Sequence, residues 1–140
     1  MINQITVFLE NDKGRLAAMC RVLGEAGISM SALTVADTAD YGVARILAER
    51  PTRACEALVA AGYRAKLVSV YAVEVPNRPG SLAALLEAFD QANVNLEYAY
   101  CFASNAQTAI QVFRVENGEP LSDIISAAGY RLLSANDLGF

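Results

Sequence analysis

Ile5, Val7 and Leu9 recur at every second position, the two-residue period of a strand with one buried face. Leu16, Met19, Cys20 and Leu23 then recur at helical spacing, which predicts a helix face, and Ala26-Gly27 closes that helix with glycine as a left-handed cap. Two more strands are predicted over Ile28 to Asp37 and Val43 to Glu49, turned by Thr38-Ala39-Asp40-Tyr41-Gly42. Pro51 opens a second helix with Cys55, Leu58 and Val59 inward; Gly62 ends it, and Arg64 to Ser69 reads as a fourth strand.

The series then repeats. Tyr71 to Val75 alternates, Leu82, Leu85, Leu86 and Phe89 mark a helix, and Leu121, Ile124 and Ile125 mark another. Gly14 and Gly80 stand 66 residues apart, and at that offset Leu16 meets Leu82, Leu23 meets Phe89, Ile28 meets Val94, Met30 meets Leu96 and Ile46 meets Val112. Gly62-Tyr63 meets Gly129-Tyr130 one residue later, which places an insertion within Glu116-Asn117-Gly118-Glu119. Each copy therefore reads βαββαβ, the order of a ferredoxin-like sandwich in which an antiparallel sheet carries two helices on one face. The expected architecture is α+β, two tandem modules over residues 1–69 and 70–140, packed as a pseudo-dimer. Neither copy buries much alone, and Lys66 to Val75 is nearly continuous strand, so a rigid pair with little hinge motion is expected.

Both copies carry the same punctuation between first strand and first helix: Asn11-Asp12-Lys13-Gly14 and Asn77-Arg78-Pro79-Gly80-Ser81. A helix N-terminus leaves about four amides unpaired and carries about half a positive charge, and glycine lets a small anion approach the backbone. Pro79 suits a first helical position, where its missing N–H is no loss. The third-element strands share a second feature. Ile28 and Met30 fit one face before Leu33 and Val35 take over, and Val94 and Leu96 give way to Ala99 and Cys101. A one-residue change of parity predicts a bulge, and it leaves Tyr98, Tyr100 and Phe102 together on the face away from the helices.

Apolar residues make up 54% of 140 and charged ones 19%, enough to build a core. The net charge of −4 and pI near 4.8 argue against nucleic acid and anionic membrane as partners. There is no histidine, which removes His-based triads and imidazole metal sites. The three widely spaced cysteines suggest neither a disulfide framework nor zinc; Cys20, Cys55 and Cys101 all fall at positions expected to pack in a core. No apolar run approaches the roughly 18 residues of a membrane span, and no signal peptide is visible at the N-terminus, so a cytoplasmic location is expected. Asp37 and Asp40 are read as turn residues, no phosphate-binding or nucleophile motif occurs, and neither catalysis nor a cofactor is expected.

The Asn-x-Pro-Gly-x-Leu turn after a strand, followed by Asn93-Val94-Asn95-Leu96 (Gly27-Ile28-Ser29-Met30 in the first copy), resembles the ACT domain, and the whole chain resembles two tandem ACT modules. Ala36 to Gly42 and Val94 to Tyr100 are similar to segments of small free-standing tandem-ACT proteins. The resemblance implies amino-acid sensing, with a small effector bound where two modules meet. Carried over by position, Asn11 and Gly14 would work with Asn95, and Asn77 and Gly80 with Ser29; Ser81, next to Gly80, is a further candidate. Helix-start amides suit an α-carboxylate, Asn carbonyls and Asp12 suit an α-ammonium, and Met30 and Leu96 would flank the side chain. Leu9 and Val75 stand where many ligand-binding members carry histidine, which points away from serine and towards an apolar or aromatic amino acid.

Two other classes fit the residues less well. A non-catalytic subunit of an enzyme of amino-acid metabolism, with degenerate sites, needs only the fold. RNA binding shares the βαββαβ order and aromatic platforms, but the acidic pI opposes it. Exposed strand residues such as Phe8 and Tyr100 favour a homodimer.

Overall fold

The computed structural model describes residues 1–37, 40–116 and 121–140; of the predicted features, Thr38-Ala39 in the first hairpin and Asn117 to Glu119 of the insertion lie outside them. The chain divides into two compact units, Asn3–Val68 with Gly139–Phe140, and Ser69–Leu138 with Met1–Ile2.

The N-terminal unit contains β1 (Ile2–Glu10), α1 (Arg15–Glu25), β2 (Met30–Asp37), β3 (Tyr41–Ala48), α2 (Pro51–Ala60) and the start of β4 (Arg64–Pro76). Its strands run in the order β2-β3-β1-β4, with antiparallel pairing of β1 on β3 and of β3 on β2. Ile5, Val7 and Leu9 of β1 and Ala44 and Ile46 of β3 project to one face, where Met19 and Leu23 of α1 and Ala54 and Leu58 of α2 close the core. On the opposite face the register sets Thr6 beside Arg45 and Arg45 beside Thr34, and buried Gln4 donates to the Thr6 hydroxyl at 2.9 Å.

The C-terminal unit repeats the plan with the rest of β4, α3 (Ser81–Gln91), β5 (Leu96–Ser104), β6 (Thr108–Val115), α4 (Leu121–Ala127) and β7 (Arg131–Leu133), followed by a 3₁₀ turn over Asn136–Leu138. Its order is β5-β6-β4-β7, all antiparallel. Tyr71, Val73 and Val75 meet Leu85 and Phe89 of α3 and Leu121 and Ile125 of α4; Phe89 sets its edge against Phe113 with centroids 5.4 Å apart. The ferredoxin-like α+β reading holds for each unit.

The predicted cap glycines take positive φ, 70° at Gly27 and 90° at Gly62, and so does Gly129, the counterpart of Gly62, at 83°. Asn93, the counterpart of Gly27, adopts 56°, a conformation asparagine tolerates better than other side chains. The bulges are present, between Met30 and Ala32 in β2 and between Leu96 and Tyr98 in β5, with a second irregularity in β5 between Cys101 and Ala103. Tyr98 and Tyr100 lie opposite Arg114 and Val112, away from the helices, while Phe102 sits in the second irregularity.

Several expectations are corrected. Leu16 and Leu82 are exposed, not core, because burial on each helix starts one turn later, at Met19 and Leu85. Val59 is 54% exposed; α2 buries Ala54 and Leu58 instead. Leu33 and Val35 turn to the helix side after the bulge yet stay 40% and 45% exposed, since β2 is the edge strand and the two helices cover β1 and β3. Cys101 is exposed on the corresponding strand of the other unit. Pro79 lies before the cap residue Gly80, outside α3. Strand β2 starts at Met30 rather than Ile28, which is buried ahead of it, and β3 starts at Tyr41 rather than Val43.

Candidate functional site

The two strand-to-helix corners match bond for bond. In the first, the Asp12 amide donates to Glu10 O at 2.9 Å, Arg15 N to Asp12 O at 3.3 Å and Ala18 N to Gly14 O at 2.9 Å. In the second, the corresponding bonds run from Arg78 to Pro76, Ser81 to Arg78 and Ala84 to Gly80, at 2.9, 3.2 and 3.0 Å. Gly14 (φ 80°) and Gly80 (φ 88°) are the N-caps, and among the described residues no side chain caps either helix. A glycine cap supplies the left-handed turn but no side-chain oxygen, so second- and third-position amides that Ser or Asp would have engaged stay available. Apart from the adjoining residues of the chain, no atom of the described residues lies within 4 Å of where a Cβ would stand on either glycine.

The surroundings of the two corners differ. Beside the first lies a hollow of about 550 Å³ lined by Glu10, Asn11, Asp12, Asp40 and Tyr41. Three carboxylates around one asparagine favour a cationic group there. They form no group able to hold a metal ion among the described residues. At the second corner Asn77 is drawn into structure. Its amide N–H donates to Gln107 O at 2.8 Å and its side-chain Nδ2 donates to Asn105 O. Asn105 shapes that β5–β6 turn by accepting from the amides of Gln107 and Thr108, each at 2.8 Å.

The remaining candidates are placed as follows. Ser29 is exposed just before β2, and Met30 is half-buried against the N-terminal core. Asn95 is exposed before β5 and reaches Glu116 Oε2 at 3.4 Å, while Leu96 packs partly into the C-terminal core. Met30 and Leu96 thus have packing roles and present only part of their surface. Ser81 begins α3, and its carbonyl accepts the Tyr130 hydroxyl at 3.0 Å. In each unit the loop residues are adjacent in space: Asn11 and Asp12 share a hollow, and Arg78 and Ser81 share another with Thr108 and Tyr130.

Sequence reasoning missed the residues behind each corner. In the N-terminal unit a cavity of about 380 Å³ opens between the end of β1, the first turn of α1 and the α2–β4 corner. Phe8, Tyr41 and Tyr63 form its aromatic walls, and Arg15 and Arg64 bring guanidinium groups. The C-terminal unit has a cavity of about 360 Å³ at the equivalent place, where Tyr130 and Arg131 stand for Tyr63 and Arg64. The available signal was the doubled tripeptide Gly62-Tyr63-Arg64 and Gly129-Tyr130-Arg131, which served only to mark the repeat.

A family model described as an ACT domain pair matches residues 1–139. A protein from Bacteroides thetaiotaomicron with a crystal structure is similar at 34% identity, over 97% of this chain and 94% of that one, with a TM-score of 0.89. The ligand-free regulatory subunit of aspartate kinase from Thermus thermophilus is similar in fold, with 18% identity, 91% and 92% of the two chains covered and a TM-score of 0.66. The regulatory subunit of aspartate kinase from Thermus flavus gives 20% identity, 90% and 88% coverage and a TM-score of 0.65. No curated protein matches.

Proposed function

As the chain belongs to the ACT domain pair family, we propose that it is a non-catalytic regulatory protein that binds a small amino acid at the corner between first strand and first helix. The observation that carries this reading is the first corner itself. Uncapped amides follow Gly14 at the start of α1, and the loop just before it lines a hollow that holds Asn11 and Asp12 with Glu10 and Asp40. The amides and the positive end of α1 suit an α-carboxylate, and the carboxylates suit an α-ammonium. Exposed Ser29 and Asn95, at the starts of β2 and β5, are further polar candidates, and the accessible parts of Met30 and Leu96 are apolar ones.

The two corners differ in this reading. Arg78 replaces Asp12, and the Asn77 side chain is turned to the β5–β6 turn. The corner of Gly80 and Ser81 is therefore the weaker site. Leu33 and Val35 along the uncovered edge strand β2 support a protein partner, either a second copy of the chain or an enzyme of amino-acid metabolism.

The test is a thermal-unfolding screen against the common amino acids. A ligand at about 100 times its Kd adds about 2.7 kcal/mol, which raises Tm by roughly 5 to 10 °C at this size. Asn11→Ala combined with Asn77→Ala abolishes that shift while the far-ultraviolet circular dichroism stays native. Retained binding in the double variant overturns the site assignment. No shift with any amino acid leaves the chain as an interaction subunit.

A further inference from the structure

We propose that the cavity behind the first corner, which shares Glu10 and Tyr41 with the hollow beside it, is a second binding site, for a small aromatic carboxylate, and that its counterpart in the C-terminal unit has lost this capacity. The proposal rests on the side chains around one cavity of about 380 Å³, within the range of small-molecule pockets. Its walls are the rings of Phe8, Tyr41 and Tyr63, all exposed or half-buried and so open to a ligand. Cations gather on these rings. Arg15 lies over Tyr63 at 5.9 Å, and Arg64 and Lys66 lie over Phe8 at 5.9 and 6.0 Å. In a chain of net charge −4 this is a local concentration of positive charge.

Glu10 also lines the cavity, and its hold on these cations is weak. Arg15 reaches Glu10 only at 3.9 Å with both side chains largely solvated, a pair of small worth that a ligand can displace. Arg64 makes no ion pair among the described residues. Guanidinium groups bind carboxylates through two parallel hydrogen bonds, and the aromatic walls supply stacking surface for a ring. A molecule with an aromatic ring and one carboxylate satisfies both sets of groups; an amine of the same shape meets repulsion.

The repeat provides an internal control. At the C-terminal cavity Phe8 is replaced by Glu74 and Arg15 by Ser81, and Arg131 is bound to Asp137 at 2.8 Å. Among the described residues that line it Tyr130 is the only aromatic one, and its hydroxyl is held by Ser81 O. A carboxylate there meets Glu74, as it meets Glu10 in the first cavity, but only one guanidinium without an ion pair among the described residues, Arg78. The expected stoichiometry is therefore one per chain.

The probe is phenylacetate, with acetate and benzylamine as partial analogues, titrated into the full chain and followed by calorimetry and amide chemical shifts. Phenylacetate binds once per chain and shifts residues around Phe8 and Tyr63, and each analogue binds at least about tenfold more weakly. Arg15→Gln combined with Arg64→Gln weakens phenylacetate by about tenfold or more, whereas Arg78→Gln leaves it unchanged. Both arginines are exposed, so the double variant keeps its fold, which its amide spectrum verifies. The inference is overturned if phenylacetate produces no shifts, if two molecules bind per chain, if benzylamine binds equally well, or if the double variant binds normally. Asn11→Ala separates this site from the corner site: it removes the amino-acid response and leaves phenylacetate binding intact.

Discussion

The Tyr130 hydroxyl donates to the main-chain carbonyl of Ser81 at 3.0 Å, pinning the corner after α4 to the first residue of α3. Its counterpart Tyr63 makes no hydrogen bond through its hydroxyl among the described residues; the ring instead lies under Arg15. Tyr130→Phe should therefore cost about 0.5 to 1.5 kcal/mol, the usual net value of such a bond. Tyr63→Phe should fall within about 0.5 kcal/mol of the parent. Urea unfolding of the two variants checks the difference.

Gly80 sits at φ 88° with open space around its missing side chain, so Gly80→Ala meets backbone strain and no clash. The expected loss is about 1 to 2 kcal/mol. Gly24 lies within α1, also with nothing within 4 Å, and has no positive φ. Gly24→Ala should gain about 0.5 to 1 kcal/mol. Opposite signs in one chemical-denaturation series confirm the distinction, and equal signs refute it.

Leu85 is fully buried beside Phe89, whereas Val59 is largely in solvent. Leu85→Ala should cost about 2 to 5 kcal/mol, through lost burial and the cavity left behind. Val59→Ala should stay within about 0.5 kcal/mol. The pair is read from unfolding midpoints; a large loss at Val59 places that face of α2 in a core.

The Asp137 carboxylate accepts from the Ser134 amide at 2.8 Å, from the Ser134 hydroxyl at 2.7 Å and from Arg131 at 2.8 Å. The Ser134 amide first, then its hydroxyl and the Arg131 charge, hold this carboxyl below its ordinary value of 3.8. A depressed folded pKa stabilises the folded state above the unfolded value, and that stability is lost as pH falls through the folded one. Asp137→Asn should therefore be less stable than the parent at near-neutral pH, with the gap closing as acid carries the chain below 3.8. Acid titrations of the two proteins, followed by circular dichroism, measure the gap.

Thiol labelling should order the cysteines by environment. Cys101 is exposed, while Cys20 and Cys55 are half-buried. Burial and then the Glu56 charge push the Cys55 thiol up, leaving little thiolate to react. Cys101 should be modified first and Cys55 slowly, as mass spectrometry of partially labelled protein will show; fast labelling of Cys55 contradicts its packing.

Much of the fold was legible because its signals are local. The alternation of Ile5, Val7 and Leu9, the cap glycines and the parity change after Met30 each act over a few residues, and the repeat doubled every one of them. Errors came where burial depends on what lies across from a residue. Leu33, Val35 and Cys101 fit an inward period yet lie on edge strands, Leu16 precedes the first buried turn of α1, and Val59 stands beside the face that Ala54 and Leu58 bury. The glycine corners were legible for the same local reason. The fate of Asn77 was not, because its bond reaches Asn105, 28 residues away.

Period, punctuation and duplication were enough, by themselves, to determine the order of elements, the left-handed glycines and the βαββαβ plan of each unit. Tertiary structure alone decided which apolar side chains are covered, which asparagine is committed to a turn, and that Phe8, Tyr63, Arg15 and Arg64 line one cavity. The physical reason is range: backbone preference is set by neighbours along the chain, whereas burial and the grouping of side chains depend on residues brought together from distant elements.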